Sequence, residues 1–403
     1  MRIVRLSEVH GKVEIDKNAG AGYERAFVNL PVTQGTLLRT QNDSRAEVEF
    51  EDGSALRITP NTTVEFKSLS LSDGKRISEV NLTEGKAYVN WLGKSGDALT
   101  LNFSREKITL LHAAHFRAET TPDFGEVAVF KGDVEVVGPS GTLSVGKKKM
   151  ATFNPSDDDR GVLAKAFAPD AYDEWDKQAT EYHDTYARND STPYGYGYSD
   201  LSYYGSFSNV AGYGTLWQPY FTGIGWDPFM DGAWAFYPGA GFMWVSAYPW
   251  GWMPYMYGNW VFVPGSGWMW APGGWTGWNG TPRFVGTAPQ RYSLPTAPTT
   301  THNTVVVGGG GPVLKGTPPL RGTTLLTRGS AGLNIARGSL GNLSHLNHEV
   351  AKSGSVALRS APPAYSAVAP PSGFGGSNVS SHNSGMHSGS APSVHSSGGG
   401  KPH

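Results

Sequence analysis

Eleven of the thirteen tryptophans of this chain fall between Trp217 and Trp278, inside a repeat of 26 residues. Gly225-Trp226-Asp227-Pro228-Phe229-Met230-Asp231-Gly232-Ala233-Trp234 returns as Gly251-Trp252-Met253-Pro254-Tyr255-Met256-Tyr257-Gly258-Asn259-Trp260. Each copy is followed by a Gly-X-Gly turn and an aromatic strand, ending at Trp244 and at Trp270. A weaker copy precedes them, from Tyr204-Gly205-Ser206-Phe207 to Gly212-Tyr213-Gly214-Thr215-Leu216-Trp217. A fixed period of this length marks stacked supersecondary units that bury their apolar faces on one another. The repeat therefore predicts equivalent β-hairpins in one continuous sheet or stack over residues 200–282.

The same block excludes most chemistry. Between Leu201 and Pro282 the only charged residues are Asp227 and Asp231, and there is no His, Lys, Arg, Glu or Cys. Catalysis needs titratable groups held near one another. Stacking surface is what the block has in quantity. A large aromatic buries about 150–250 Å², worth roughly 4–6 kcal/mol at about 25 cal/mol per Å² as an upper bound, so most of these rings belong in a core. Trp275 and Trp278, past the last repeat and among glycines, are the candidates for exposed rings that stack on a glycan or a peptide. Trp234 and Phe236 share one strand face, and Phe242 and Trp244 share another. A one-residue change in turn length decides whether the two pairs align, which leaves the core face open.

Residues 1–155 read as one all-β domain. Arg45-Ala46-Glu47-Val48-Glu49-Phe50 alternates cleanly, Asp52-Gly53 turns, and Ala55-Leu56-Arg57-Ile58 follows. Lys86–Trp91, Phe116–Glu119, Glu126–Phe130 and Asp133–Val137 continue the period of two. The spacing is that of a β-sandwich or jelly roll. His112 and His115 read as strand residues. Asp157-Asp158-Asp159 lacks the Gly and Glu positions of a calcium loop and reads as a solvated turn.

The ordered set Gly11-Lys12-Val13-Glu14-Ile15, Gln34-Gly35-Thr36-Leu37-Leu38-Arg39-Thr40, Ser44–Val48, Asp52–Ile58 and Pro60–Val64 resembles the FecR-type domain of bacteria over roughly residues 3–135. That resemblance implies a β-rich, non-enzymatic and usually exported domain, whose best-known member relays a receptor signal across the inner membrane to a sigma factor. Tyr257-Gly258-Asn259-Trp260 and Trp268–Pro272 resemble the Tyr-X-Gly-X-Trp repeat region, a domain of unknown function that follows FecR-type domains in many bacterial proteins. The Asp173-Glu174-Trp175-Asp176 segment resembles the linker between them.

That linker, within residues 165–192, carries the one strong helix signal. Tyr172, Trp175, Ala179, Tyr182 and Tyr186 form one stripe, with Asp173, Glu174, Asp176, Lys177 and Glu181 opposite. From residue 295 to 403 the chain becomes rich in Gly, Ser, Pro and His, a composition expected to stay disordered. From Arg283 onward nine residues are Lys or Arg against one acid, Glu349. Dispersed positive charge suits contact with an anionic surface and makes no specific nucleic-acid site. His382, His387, His395 and His403 match no compact metal site, and no cofactor is implied.

The fold expected is thus mainly β: a sandwich or jelly-roll-like FecR-type domain, a linking helix, an aromatic hairpin domain and a disordered tail. The function expected is that of a non-enzymatic envelope protein, periplasmic or extracellular, with a structural or binding role for which cell-wall glycan or an envelope protein is the candidate partner. The alternative is a periplasmic sensing component related to FecR-type sigma-factor regulators. A hydrolase is the weakest reading, because no carboxylate pair accompanies the aromatic platform. With no cysteine to place it and no signal peptide in view, export predicts a targeting segment encoded upstream of Met1.

Overall fold

The computed structural model describes residues 2–94, 96–158, 160–187, 195–223, 225–275, 284–285, 296–299, 304–308 and 323–359. The chain is mainly β, as expected. In the N-terminal domain, two sheets face one another across an aliphatic core that includes Val4, Leu6, Val48, Leu56, Val89, Phe116, Leu101 and Val136. One sheet runs through Val4–His10, Arg45–Glu49, Ala55–Ile58, Ala114–Thr120, Gly125–Lys131 and Met150–Phe153. The other runs through Val13–Asp16, Leu37–Thr40, Thr63–Ser72, Ala98–Phe103, Glu106–Leu110 and Asp133–Gly138.

The strand Lys75–Trp91 belongs to both sheets. Its first half pairs with Thr63–Ser72 and, in parallel, with Ala98–Phe103. Its second half pairs with Ala55–Ile58 and Ala114–Thr120. The crossing falls at Gly85, whose φ of +87° is open to glycine at little steric cost. A side chain there would also collide with the Asn61 carbonyl and Thr62.

The aromatic block forms the three hairpins that its repeat predicts: Gly205–Val210 with Gly214–Pro219, Asp231–Tyr237 with Gly241–Ser246, and Tyr257–Val263 with Gly267–Trp275. They do not make one continuous sheet. The first and third join through Trp217 opposite Trp270, and the second lies in a separate sheet with Thr304–Gly308. The stack is the arrangement realised. Trp226, Trp250 and Tyr255 lie between the hairpins, with Trp250 5.0 Å from Trp217 and 6.1 Å from Trp260, and Tyr255 5.7 Å from Trp260 by ring centroid.

The open question of register is settled by a three-residue turn, Pro238–Ala240. Trp234 stands opposite Trp244 and Phe236 opposite Phe242, both as edge-to-face pairs at 5.6 and 5.4 Å. Trp234 and Trp244 face the core, each 1% exposed.

The repeat also has a steric logic. Gly205, Gly232 and Gly258 each sit two residues before the aromatic residue of a first strand, namely Phe207, Trp234 and Trp260. The indole of the opposing strand lies over each glycine, so that an added Cβ would meet Trp217, Trp244 and Trp270 respectively. Gly232→Ala, which asks for no left-handed backbone, is therefore expected to destabilise the protein by about 1–3 kcal/mol through overpacking alone. Denaturant melts of this variant against Gly239→Ala would check it, since Gly239 has open space around its Cβ position and only backbone strain to lose.

The helix forms where expected, and one expectation about the tail is corrected. Helix α1 spans Asp173–Tyr186, and its charged side is divided, with Glu174, Lys177 and Glu181 exposed and the two aspartates turned to the sheet. Asp176 is 2% exposed and Asp173 bonds to Arg117 and Tyr88. The tail is not disordered throughout, because Thr304–Gly308 and 323–359 are structured. Thr323–Thr327 pairs with Ser355–Arg359 around a helix at Leu343–Ser353, and Leu326, Ala331, Ile335, Leu343 and Val350 are buried in the common core. Composition missed this because the buried residues are few and isolated among Gly and Ser. Calcium-like Asp157 closes a short 3-10 turn, Pro155–Asp157, as the turn reading expects.

Candidate functional site

Strand alternation places Arg5, Ser7, Glu47, Glu49 and Arg57 on the outer face of the N-terminal sheet. That face is covered, and the polar side chains on it are buried. Helix α1, a short second helix α2 at Tyr198–Tyr204 and residues 335–340 lie across it. Buried charges are tolerated only when paired and hydrogen-bonded, and here they are.

Glu47 is the hub. Its Oε2 accepts from Arg57 Nε at 2.8 Å. Its Oε1 accepts from Ser7 Oγ at 2.7 Å and Arg337 Nη1 at 2.8 Å, and meets His183 Nε2 at 3.0 Å. Arg337 grips Asp200 through Nε and Nη2 at 2.8 and 2.7 Å, a bidentate geometry that suits guanidinium and carboxylate. Asp200 also receives Arg5 Nη1 at 2.6 Å and Tyr182 Oη at 2.8 Å. Glu49 accepts from the Gly197 backbone N–H at 3.0 Å and lies 3.3 Å from Arg5. On the far side, Arg57 reaches Asp176 at 2.6 Å, and Asp176 meets His115 at 2.7 Å.

The protonation states follow from these contacts. Burial pushes the Glu47 carboxyl up, but His183, Arg57 and Arg337 outweigh it and hold the group well below the usual carboxylate range. Burial likewise opposes ionisation of Asp200, and Arg337 and Arg5 reverse the balance. Glu49 has weaker partners, and burial leaves it raised. Burial lowers His183, but Glu47 and Glu49 overcome it and raise the imidazole.

The network joins the two halves of the chain, and further bonds extend it. Arg5 Nη2 donates to the Pro249 carbonyl at 2.7 Å. Asn29 Nδ2 donates to the carbonyls of Ser246 and Tyr248 at 3.0 and 2.8 Å, and Tyr237 Oη to that of Pro31 at 2.7 Å. Residues 323–359 act as a strap on the aromatic block as well. Trp250 Nε1 donates to Ala331 at 2.7 Å and Tyr204 Oη to Ile335 at 2.7 Å. Beside the network opens a cleft of about 830 Å³, whose walls include Val9, Arg45, Trp175, Tyr182, His183 and Ile335.

Trp275 ends the last hairpin strand, and Trp278 lies outside the described residues. Among the described residues there is no cluster of three or more metal-ligating side chains, and no helix is long and apolar enough to cross a membrane. Sequence reasoning does not single out the residues that form the site: Glu47, Glu49 and Arg57 are alternate strand positions, Asp176 is on the charged side of the helix, and Arg337 falls in the stretch expected to be disordered. One signal was available: complementary charges at alternate positions, Arg5 and Arg57 against Glu47 and Glu49, on strands of one sheet.

Comparison with known proteins agrees with this division of the chain. Residues 36–135 match the family described as FecR protein, and residues 198–296 match a family of unknown function, DUF6600. No curated protein matches the chain. Two crystal structures of a protein from Parabacteroides distasonis, provisionally described as an anti-sigma factor, are similar at 18% identity. One aligns with a TM-score of 0.29 over 33% of this chain and 60% of its own length. The other aligns with a TM-score of 0.30 over 35% and 64%. The chain thus spans less than two thirds of the length of either.

Proposed function

We propose that this chain, with its FecR domain and its DUF6600 domain, is a non-enzymatic sensing component of the bacterial envelope, working on the periplasmic side. Membership of residues 36–135 in the FecR family supports a signalling role over a purely structural one. The single observation that carries the reading is the buried network on the outer face of the FecR-type sheet. Glu47, Arg57 and Arg5 are joined there to helix α1, helix α2 and Arg337. A sheet face covered by charge pairs separates and re-forms at lower cost than an apolar one, because each charge regains water on opening. Such a face suits a domain whose exposed surface has to change with a signal.

Absence of catalysis is part of the same proposal. Each carboxylate of the network is held by two or more donors, which leaves none free to act as a general acid or base.

A transcriptome comparison tests the reading. Cells lacking the protein and cells carrying Glu47→Ala are each compared with cells carrying the native chain. The expected result is a shift in one small set of genes that share an alternative sigma-factor promoter, in the same direction in both strains. If no gene set responds, while the purified protein is retained on cell-wall glycan, the structural and binding role stands instead.

A further inference from the structure

His183 sits with one ring nitrogen against a carboxylate and the other against a hydroxyl that has a second carboxylate behind it. Nε2 lies 3.0 Å from Glu47 Oε1, and Nδ1 lies 3.2 Å from Ser199 Oγ with Glu49 Oε1 behind it at 3.9 Å. Only the doubly protonated ring donates on both sides. The charges around it agree. Strand Arg45–Glu49 supplies Glu47 and Glu49, helix α2 supplies Asp200, and helix α1 itself supplies Asp176. Against these four carboxylates stand three guanidiniums: Arg5 from the first strand, Arg57 from Ala55–Ile58 and Arg337 from the strap. The neutral groups against the ring are Tyr182 and Ser199, while Ser7 bonds to Glu47 and Thr180 to Arg57. His115, on strand Ala114–Thr120, reaches the network only through Asp176. A fourth positive charge balances the cluster, and His183 is placed to carry it.

We propose that His183 is a proton-operated latch that holds helices α1 and α2 onto the outer face of the FecR-type sheet and releases them when its proton is lost. The idea goes beyond the signalling reading and does not depend on it, because it concerns the isolated chain. Loss of the proton leaves one buried negative charge uncompensated, a state that low-dielectric surroundings strongly disfavour. The cluster relieves it by admitting water between α1 and the sheet. The cleft of about 830 Å³ that reaches Tyr182 and His183 supplies the route for proton and water. The raised imidazole and the raised Glu49 carboxyl act in the same direction, since both bind the proton more tightly folded than unfolded. The sign follows from linkage. Stability from such a group is complete below its unfolded value, 6.5 for the histidine, and is lost as pH rises through the higher folded value.

Hydrogen exchange of the full chain, read as protection factors so that the intrinsic pH dependence cancels, tests the latch. Peptides covering 176–186 and 198–204 are expected to lose about tenfold or more of their protection between about pH 6 and about pH 9. Peptides covering the strand Gly125–Lys131, an internal reference, are expected to hold theirs. His183→Gln should reduce the loss to about twofold or less, and His115→Gln should leave it intact. If His183→Gln does not fold, Glu49→Gln serves, because it removes one carboxylate and balances the cluster with a neutral ring, so the pH response should again collapse. Flat protection in the native chain overturns the proposal. So does an undiminished response in His183→Gln or, where that variant does not fold, in Glu49→Gln.

Discussion

Trp234→Ala is expected to destabilise the protein by about 3–5 kcal/mol, the range for removing a large aromatic from a packed core. The indole is 1% exposed and lies edge-to-face on Trp244 at 5.6 Å. Trp244 in turn packs edge-to-face on Phe229 at 5.8 Å, so the cavity would open inside a continuous aromatic array. Its Nε1 makes no hydrogen bond among the described residues, so the loss is one of packing and transfer and carries no polar compensation. Tyr213, 45% exposed at a hairpin turn, is the control, and Tyr213→Ala should stay within about 0.5 kcal/mol. Denaturant unfolding of both variants, with the slope checked for constancy, decides the matter. A near-neutral Trp234→Ala would mean that the block holds its tryptophans for a ligand and not for its own core.

The aromatic block was legible because its signal is local. The glycine spacing that admits each opposing indole and the Gly-X-Gly turns lie within one period of 26 residues, so hairpins could be drawn from the sequence alone. Their division between two sheets could not. It depends on Trp217 pairing with Trp270 and on Thr304–Gly308 adding to the second hairpin, contacts separated by tens of residues with no periodic mark. The sandwich was legible for the same local reason, since Ala46, Val48 and Phe50 alternate inward as read.

The site was not legible, although every strand that carries it was. Period-two patterning separates two faces and assigns the polar one to water, and at Glu47 and Glu49 that assignment fails because later chain covers the face. What covers it is polar in sequence too. Asp176 and His183 lie on a helix whose apolar stripe seemed sufficient to dock it, and Arg337 lies in a stretch whose Gly and Ser content argued for disorder. A buried ion network is built from residues that composition scales count as surface, and only the pairing of complementary charges on neighbouring strands hints at it.

Glu47→Ala tests that network at its hub. The substitution removes the anion that Arg57, Arg337 and the His183 imidazolium share, leaving Arg57 only Asp176 and Arg337 only Asp200, and it leaves Ser7 Oγ without its 2.7 Å side-chain acceptor. Removing one partner from a buried pair typically costs about 3–5 kcal/mol, most of it the desolvation of the charge left behind, and here three cations share one anion. Arg337→Ala alone should cost less, because Glu47 keeps Arg57 and His183. In a double-mutant cycle the second substitution should therefore add little to Glu47→Ala, giving a coupling energy of about 1–3 kcal/mol. The acid limb supplies an independent check. Glu47 and Asp200 are held below their ordinary values, so their contribution is present above the unfolded carboxylate range and is lost as pH falls through the folded values. Glu47→Ala should flatten that limb of the stability curve. Because Glu47 is also a main reason that His183 keeps its proton, the alkaline limb should flatten with it, whereas a substitution that merely loosened packing would lower the whole curve and leave its shape unchanged.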